Sequence, residues 1–232
     1  MPDIAAELEE RGFCLVQKIA DDDEISRLKT ALAQSEIARA ERLGQTYGAR
    51  NLLHVAAVRA AAANPKVTAY MQTLLGPAFQ AVRGIFFDKT ESANWPVPWH
   101  QDLSLAVRER RDLLGWSNWT VKRGVTHVQP PPEILSRMVG MRLHLDDCPS
   151  SNGPLRVISG SHRHGLLRRD EITVQAENPA TPIIANAGDA LFMRPLILHA
   201  SSPALMPRHR RVLHLEFAPA GLLPCELDWA QA

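Results

Sequence analysis

Between residues 79 and 218 the sequence alternates short β-prone runs with clusters of Pro, Gly, Asn and Ser. The runs fall at 80–89, 97–105, 138–146, 155–159, 183–185, 190–193, 196–201 and 210–218. Eight short strands separated by turns predict a β-sandwich or a barrel. The residues before them read differently. Segments 3–11 and 22–43 carry helical periodicity; in the second, Ile25, Leu28, Leu32, Ile37 and Leu43 share a face behind the capping candidates Asp21 to Asp23. An Ala-rich stretch at 55–63 is also helical in character, and a further helix is expected to start after Asn64-Pro65 and stop at Gly76-Pro77. The expected architecture is mainly β, with N-terminal helices packed on one face of the sheet structure.

The chain of 232 residues fits one domain, 1–232, divided into a helical part at 1–78, a β core at 79–218 and a tail at 219–232. Residues 106–137 interrupt the core without clear periodicity, and they include Trp116, Trp119 and Pro130-Pro131-Pro132. An inserted loop of that length is expected either to pack on the barrel or to act as a lid. A net charge of +1 with mixed signs provides no basic field for nucleic acid or an anionic membrane. No apolar run approaches the ~20 residues of a membrane span. The start, Met1-Pro2-Asp3-Ile4, lacks the basic and apolar regions of a signal peptide. Cys14, Cys148 and Cys225 have neither CxxC nor zinc-cluster spacing and read as reduced thiols of a cytoplasmic protein.

Three positions pair a histidine with a carboxylate two residues on: His100 with Asp102, His144 with Asp146, and His214 with Glu216. In a strand, such side chains leave the same face. An imidazole and a carboxylate on one face supply two ligands for a divalent transition metal. A distant histidine would complete a 2-His-1-carboxylate triad, which suits non-haem Fe(II) and leaves positions open. Periodicity alone does not rank the three pairs. Strand order does so for a double-stranded β-helix (a jelly roll), where such a site draws on the second and seventh strands. Counting from 80–89, His100 and Asp102 fall on the second strand, His199 on the seventh, His144 on the third and His214 on the eighth. His100, Asp102 and His199 are therefore the preferred metal ligands. His144 and His214 read as cavity-facing or hydrogen-bonding strand histidines.

Two residues past His199, Ser201 shares its strand face, and Arg210 opens the next strand. A guanidinium and a hydroxyl together can clamp a carboxylate. Arg211 is the alternative, but it alternates in phase with Leu213, Leu215 and Phe217, a packed face. Arg210 is in phase with Val212, His214 and Glu216, which suits a polar cavity.

Trp99-His100-Gln101-Asp102, the run from Asn152-Gly153-Pro154-Leu155-Arg156 through Gly160-Ser161-His162-Arg163-His164-Gly165, and His199 with Ser201 and Arg210 together resemble the phytanoyl-CoA dioxygenase-like family. The resemblance covers about residues 80–218. It implies an Fe(II)- and 2-oxoglutarate-dependent dioxygenase using O₂, with iron on His100, Asp102 and His199. It implies that Arg210 and Ser201 hold the far carboxylate of 2-oxoglutarate, and that Lys89 contributes to the same cosubstrate site. The expected reaction is hydroxylation of a small-molecule substrate, with 2-oxoglutarate converted to succinate and CO₂. Halogenating relatives lack the carboxylate ligand that Asp102 supplies here. Two other classes fit the same fold: a cupin-like metalloenzyme that uses no 2-oxo acid, and a non-catalytic binding module. The histidines of the 160–164 segment are expected in a structural turn; His54 and His127 have no assigned role.

Overall fold

The computed structural model describes residues 3–34, 39–42 and 45–230. In chain order, the first elements are α1 (Ile4–Glu10), β1 (Phe13–Val16), α2 (Asp22–Gln34), β2 (Arg39–Arg42), β3 (Gln45–Arg50), α3 (Ala56–Ala62) and α4 (Pro65–Leu75). Next come β4 (Phe79–Lys89), β5 (Val97–His100), β6 (Leu105–Val107), β7 (Ser117–Lys122), β8 (Val125–Gln129), α5 (Pro132–Ser136) and β9 (Val139–His144). The chain closes with β10 (Leu155–Val157), α6 (Arg169–Gln175), β11 (Thr181–Pro182), β12 (Ala190–Met193), β13 (His199–Ser201) and β14 (Arg210–Pro219).

Local chemistry explains the helix limits. Asp21 and Glu24 form a reciprocal capping box at the start of α2: each side chain accepts from the other's backbone N–H, at 2.8 and 3.0 Å. Asn64 caps α4 through Lys66 N–H at 2.8 Å, Pro65 occupies its first turn, and Gly76 ends it at φ +88°. The helix expected at 22–43 is shorter than its periodicity suggested. It stops at Gln34, and residues 39–42 form a strand paired with β3. Ile37 and Leu43 lie outside the described residues.

The strands form an antiparallel seven-stranded sheet, ordered β1-β12-β9-β14-β4-β3-β2, facing a four-stranded sheet ordered β11-β10-β13-β5. This is a double-stranded β-helix. Alternation divides the large sheet's two faces. Met141, Leu143, Phe192, Leu213, Leu215 and Phe217 join Leu8, Ile25, Leu28, Val58, Val67 and Met71 of the helices in one buried apolar cluster. The opposite face carries Arg83, Lys89, Arg142, Arg210, His214 and Glu216 into a cavity of about 430 Å³.

Several expected elements change. The strand expected at 97–105 is broken after His100, because the Asp102 N–H leaves the ladder for the Pro195 carbonyl at 2.9 Å. The run at 183–185 contributes only an isolated bridge, Cys148 to Ala185, while the strand itself is β11. Segment 106–137, expected as a loop, instead contains most of a three-stranded sheet ordered β6-β8-β7, followed by α5. Its hairpin turns on Arg123 (φ +52°) and Gly124 (φ +77°). Two consecutive left-handed residues match the twist of antiparallel strands. Arg-Gly is a weaker sequence signal for this turn than Asn-Gly, which is why the hairpin was hidden. Among the described residues, no helix is long and apolar enough to cross a membrane.

Candidate metal centre

The pairing of β13 with β5 sets His199 directly opposite His100. Their rings lie 4.2 Å apart, centroid to centroid. Each Nδ1 sits 2.9 Å from a backbone carbonyl two residues earlier: Pro98 for His100 and Ile197 for His199. An Nδ1–H donated there leaves Nε2 as the lone pair facing outward. Asp102 closes the group, its oxygens 4.0 Å from His100 Nε2 and 3.7 Å from His199 Nε2. Among the described residues this is the cluster whose donor atoms, all within 4.8 Å of one another, can hold a metal ion.

Protonation favours binding. Burial lowers the His199 pKa to about 4, although Asp102 pulls the other way, so the imidazole is neutral at neutral pH. Burial disfavours the Asp102 charge, but His199, His214, His100 and Arg83 outweigh it and hold the carboxyl well below its ordinary range. A neutral imidazole at His199 and an ionised carboxylate at Asp102 are the forms of those groups that bind a divalent transition metal.

The residue between the ligands matters as much as the ligands. Gln101 is buried, donates to the Gly165 and Leu196 carbonyls at 2.8 and 2.7 Å, and accepts from Leu167 N–H at 2.9 Å. It bolts the segment carrying His100 and Asp102 to the 160–167 turn and to the strand approach of His199. That role had no local sequence signal beyond its place in the quoted motif. The 160–164 segment is a short 3₁₀ turn whose Ser161 hydroxyl donates to Ile158 O and accepts from Leu198 N–H at 2.8 Å, next to His199. His162 turns away to the Glu9 carbonyl.

The other two histidine–carboxylate pairs have different surroundings. Asp146 accepts from Arg211 at 2.7, 2.8 and 2.9 Å and pairs with Lys29 at 2.9 Å, which leaves it no free edge for a metal. His144 is buried with both ring nitrogens unpartnered, and burial with Arg142 and Arg210 lowers its pKa to about 3. His214 lies 3.5 Å from Glu216, which lies 3.6 Å from Arg83, in the wall of the same cavity.

Arg210 and Lys89 face each other across β14 and β4, and both are buried. Lys89 Nζ donates to Ser201 Oγ at 3.0 Å and to Ser202 O at 3.2 Å, so one contact joins the two sheets beside the metal ligands. Burial and the nearby Arg210 lower the Lys89 pKa to about 7. The Arg210 guanidinium donates to the Gly153 carbonyl, while its buried Nε has no partner. Gly153 has φ +59°, and a Cβ there would stand 2.7 Å from Ser202 O, so the Asn152-Gly153-Pro154 turn requires glycine. Arg142, which the sequence reading left without a role, adds a third cation to this end, and its buried Nε is likewise unpartnered. Three cations in a half-closed cavity with unpartnered donors fit an anionic group reaching them from the metal side.

Known proteins share this arrangement of strands. The epimerase SnoN in complex with Fe³⁺, alpha ketoglutarate and nogalamycin RO superposes with a TM-score of 0.66 at 17% identity, over 94% of this chain and 82% of that one. EctD from S. alaskensis with bound Fe gives a TM-score of 0.70 at 18% identity, over 93% and 75% of the two chains. At such identities the likeness shows the fold. In sequence, Phytanoyl-CoA dioxygenase 1 of Oryza sativa subsp. japonica is 33% identical over 87 residues, a match spanning 33% of this chain and 31% of the rice protein. Residues 8–212 match the family described as Phytanoyl-CoA dioxygenase (PhyH), well over half of the chain. By that match, the protein belongs to the phytanoyl-CoA dioxygenase family.

Proposed function

We propose that the chain is a non-haem Fe(II)- and 2-oxoglutarate-dependent dioxygenase that hydroxylates a small-molecule substrate, forming succinate and CO₂ from 2-oxoglutarate. One observation carries the reading: a two-imidazole, one-carboxylate donor set opens into the same cavity as a buried group of cations. A cupin-like enzyme without a 2-oxo acid would have no use for that second group.

In this reading His100, Asp102 and His199 would hold the iron. Arg210 receives the far carboxylate of 2-oxoglutarate, with Ser201 and Lys89 alongside. The bound iron, with 2-oxoglutarate and O₂, supplies the C–H oxidation that no side chain here performs. The chain's contribution is orientation. Gln101 fixes the ligand-bearing segment, the Gly153 carbonyl fixes the Arg210 guanidinium, and neutral His199 presents a lone pair rather than a proton.

The test is metal content after anaerobic reconstitution with Fe(II) and desalting. The parent protein is expected to retain about one iron per chain, His100→Ala and Asp102→Ala to lose it, and His144→Ala to keep it. Iron retained in His100→Ala and lost in His144→Ala would overturn the ligand set. With a turned-over compound in hand, mass spectrometry distinguishes hydroxylation, a gain of one oxygen atom, from an oxidation that adds none.

A further inference from the structure

The segment that carries Asp102 has no strand of its own. β5 ends at His100, β6 begins at Leu105, and the residues between are held by contacts from outside. Gln101 anchors the start, and the Asp102 N–H donates to the Pro195 carbonyl at 2.9 Å. Beyond Asp102, the Arg83 guanidinium donates to the Ser104 carbonyl at 2.7 Å. Arg83 belongs to β4, in the large sheet, whereas His100 and His199 lie in the small one. The contact therefore ties the ligand-bearing segment to the facing sheet.

Arg83 is in turn fixed by a chain of buried groups. Glu216 stands directly across from it in the β4–β14 ladder, with Oε1 3.6 Å from the guanidinium. The same oxygen lies 3.5 Å from His214 Nε2. The His214 ring packs on bare backbone: a Cβ at Gly140 would stand 3.1 Å from its Cε1. Arg83, Glu216 and His214 are all buried. Asp102, Ser104, His214 and Glu216 also share the wall of a second cavity of about 10 Å³, room for about one water. A buried ionic chain adds little stability over apolar side chains of similar volume. What this one contributes is fixed geometry at its end, the Ser104 carbonyl.

We infer that Arg83 is a positioning residue of the metal centre: through the Ser104 carbonyl it holds the Asp102 carboxylate at the spacing the two histidines require, and Glu216 and His214 act through it. The inference rests on the ligand set of the proposed function. It gives a role to a buried charge network that the cosubstrate reading leaves unused. A ligand must be held within about 0.5 Å of its productive place, and no strand pairing does this for Asp102.

The test is equilibrium titration of the metal-free protein with Co(II), followed by its d–d absorption, which reads affinity and ligand geometry without turnover. The main variant carries Arg83→Met and Glu216→Gln together, so that neither charge is left buried alone. It is expected to bind Co(II) about tenfold more weakly or worse, the loss typical when the partner of a metal ligand is removed, and to shift the d–d bands. Glu216→Gln alone, a milder change that keeps the fold testable, loosens Arg83 and should weaken Co(II) by about threefold. Arg83→Lys retains a donor for Ser104 O and should recover most of the affinity. Asp102→Ala supplies the deciding background. Because Arg83 acts through Asp102, neither the paired variant nor Glu216→Gln should weaken Co(II) by more than about twofold further once Asp102 is gone. A network that only supports the fold would weaken Co(II) equally with and without Asp102, and that result would overturn the inference. Parent affinity in the paired variant and in Glu216→Gln, with Asp102→Ala still weak, would overturn it alone. Parent affinity in Asp102→Ala would instead remove Asp102 from the ligand set, and the metal site of the proposed function would fall together with this inference.

Discussion

Two adjacent arginines of β14 have opposite fates because strand side chains alternate. Arg210 points into the cavity beside Lys89. Arg211 points to the other face, where Asp146 takes three hydrogen bonds from it and Lys29 adds a second cation. The difference makes a prediction. Removing one partner of a buried charge pair costs about 3–5 kcal/mol, so Arg210→Ala should weaken 2-oxoglutarate by more than about a hundredfold while iron stays bound. Arg211→Ala should leave 2-oxoglutarate affinity within about twofold and lower the thermal midpoint, because Asp146 loses the two guanidinium donors and keeps only the residue 211 backbone N–H and Lys29. Anaerobic titration of 2-oxoglutarate into both iron-loaded variants measures this. Equal losses of affinity would remove Arg210 from its role.

Among the elements, the β7–β8 hairpin departs furthest from expectation. Trp116 and Trp119 are half-buried against a cluster containing Leu105, Val107, Val128, Leu135 and Trp229, so they pack the insertion onto the barrel. Yet Lys122, at the turn end of β7, lines the cavity. The hairpin therefore has a fixed base and a tip next to the site. In hydrogen exchange, amides of central β8 are expected to be protected without ligands, and those of edge strand β7 to exchange faster. Added protection from metal, 2-oxoglutarate and substrate should be confined to the Lys122 end. Uniformly fast exchange over 117–129 in the ligand-free protein, followed by protection of the whole hairpin, would instead identify a lid that closes as a unit.

Across the whole molecule, the N-terminal segment ties the sheets together. β1 forms the edge of the large sheet against β12, and the Gly12 and Arg11 carbonyls accept from Arg194 and Gly160 N–H at 2.8 and 2.9 Å. Gly12 has φ +82°, and a Cβ there would meet the His162 ring at 2.4 Å. The segment buries Ile4, Leu8, Phe13, Cys14 and Val16. A buried aliphatic or aromatic side chain is worth about 1.5–3 kcal/mol, and each kcal/mol moves the midpoint of a chain this size by about 2–4 °C. Removing residues 1–17 should therefore lower the calorimetric midpoint by about ten degrees or more. A change of only one or two degrees would mean that β12 and the 160–164 turn hold without it.

The part before residue 79, expected as helical, also holds β1, β2 and β3 of the large sheet. Periodicity and local chemistry were enough to read the inward face of β14, the caps of α2 and α4, and the motifs that resemble the family. Each depends on residues within a few positions of one another, which is the range over which strand alternation and capping act. What the tertiary structure decided involves partners far apart in the chain. The three histidine–carboxylate pairs have identical spacing; Asp146 is distinguished by Arg211 and Lys29, and Asp102 by a histidine 97 residues later, opposite His100 across the β5–β13 ladder. Gln101 as an anchor, Arg142 as a cavity cation and Lys122 on the cavity wall were equally hidden, because a side chain's partners are set by which strands meet and in what register. The hairpin at 117–129 was missed for a local reason: its turn places Arg123 in the left-handed region, a conformation a non-glycine residue adopts only when the flanking strands hold it there.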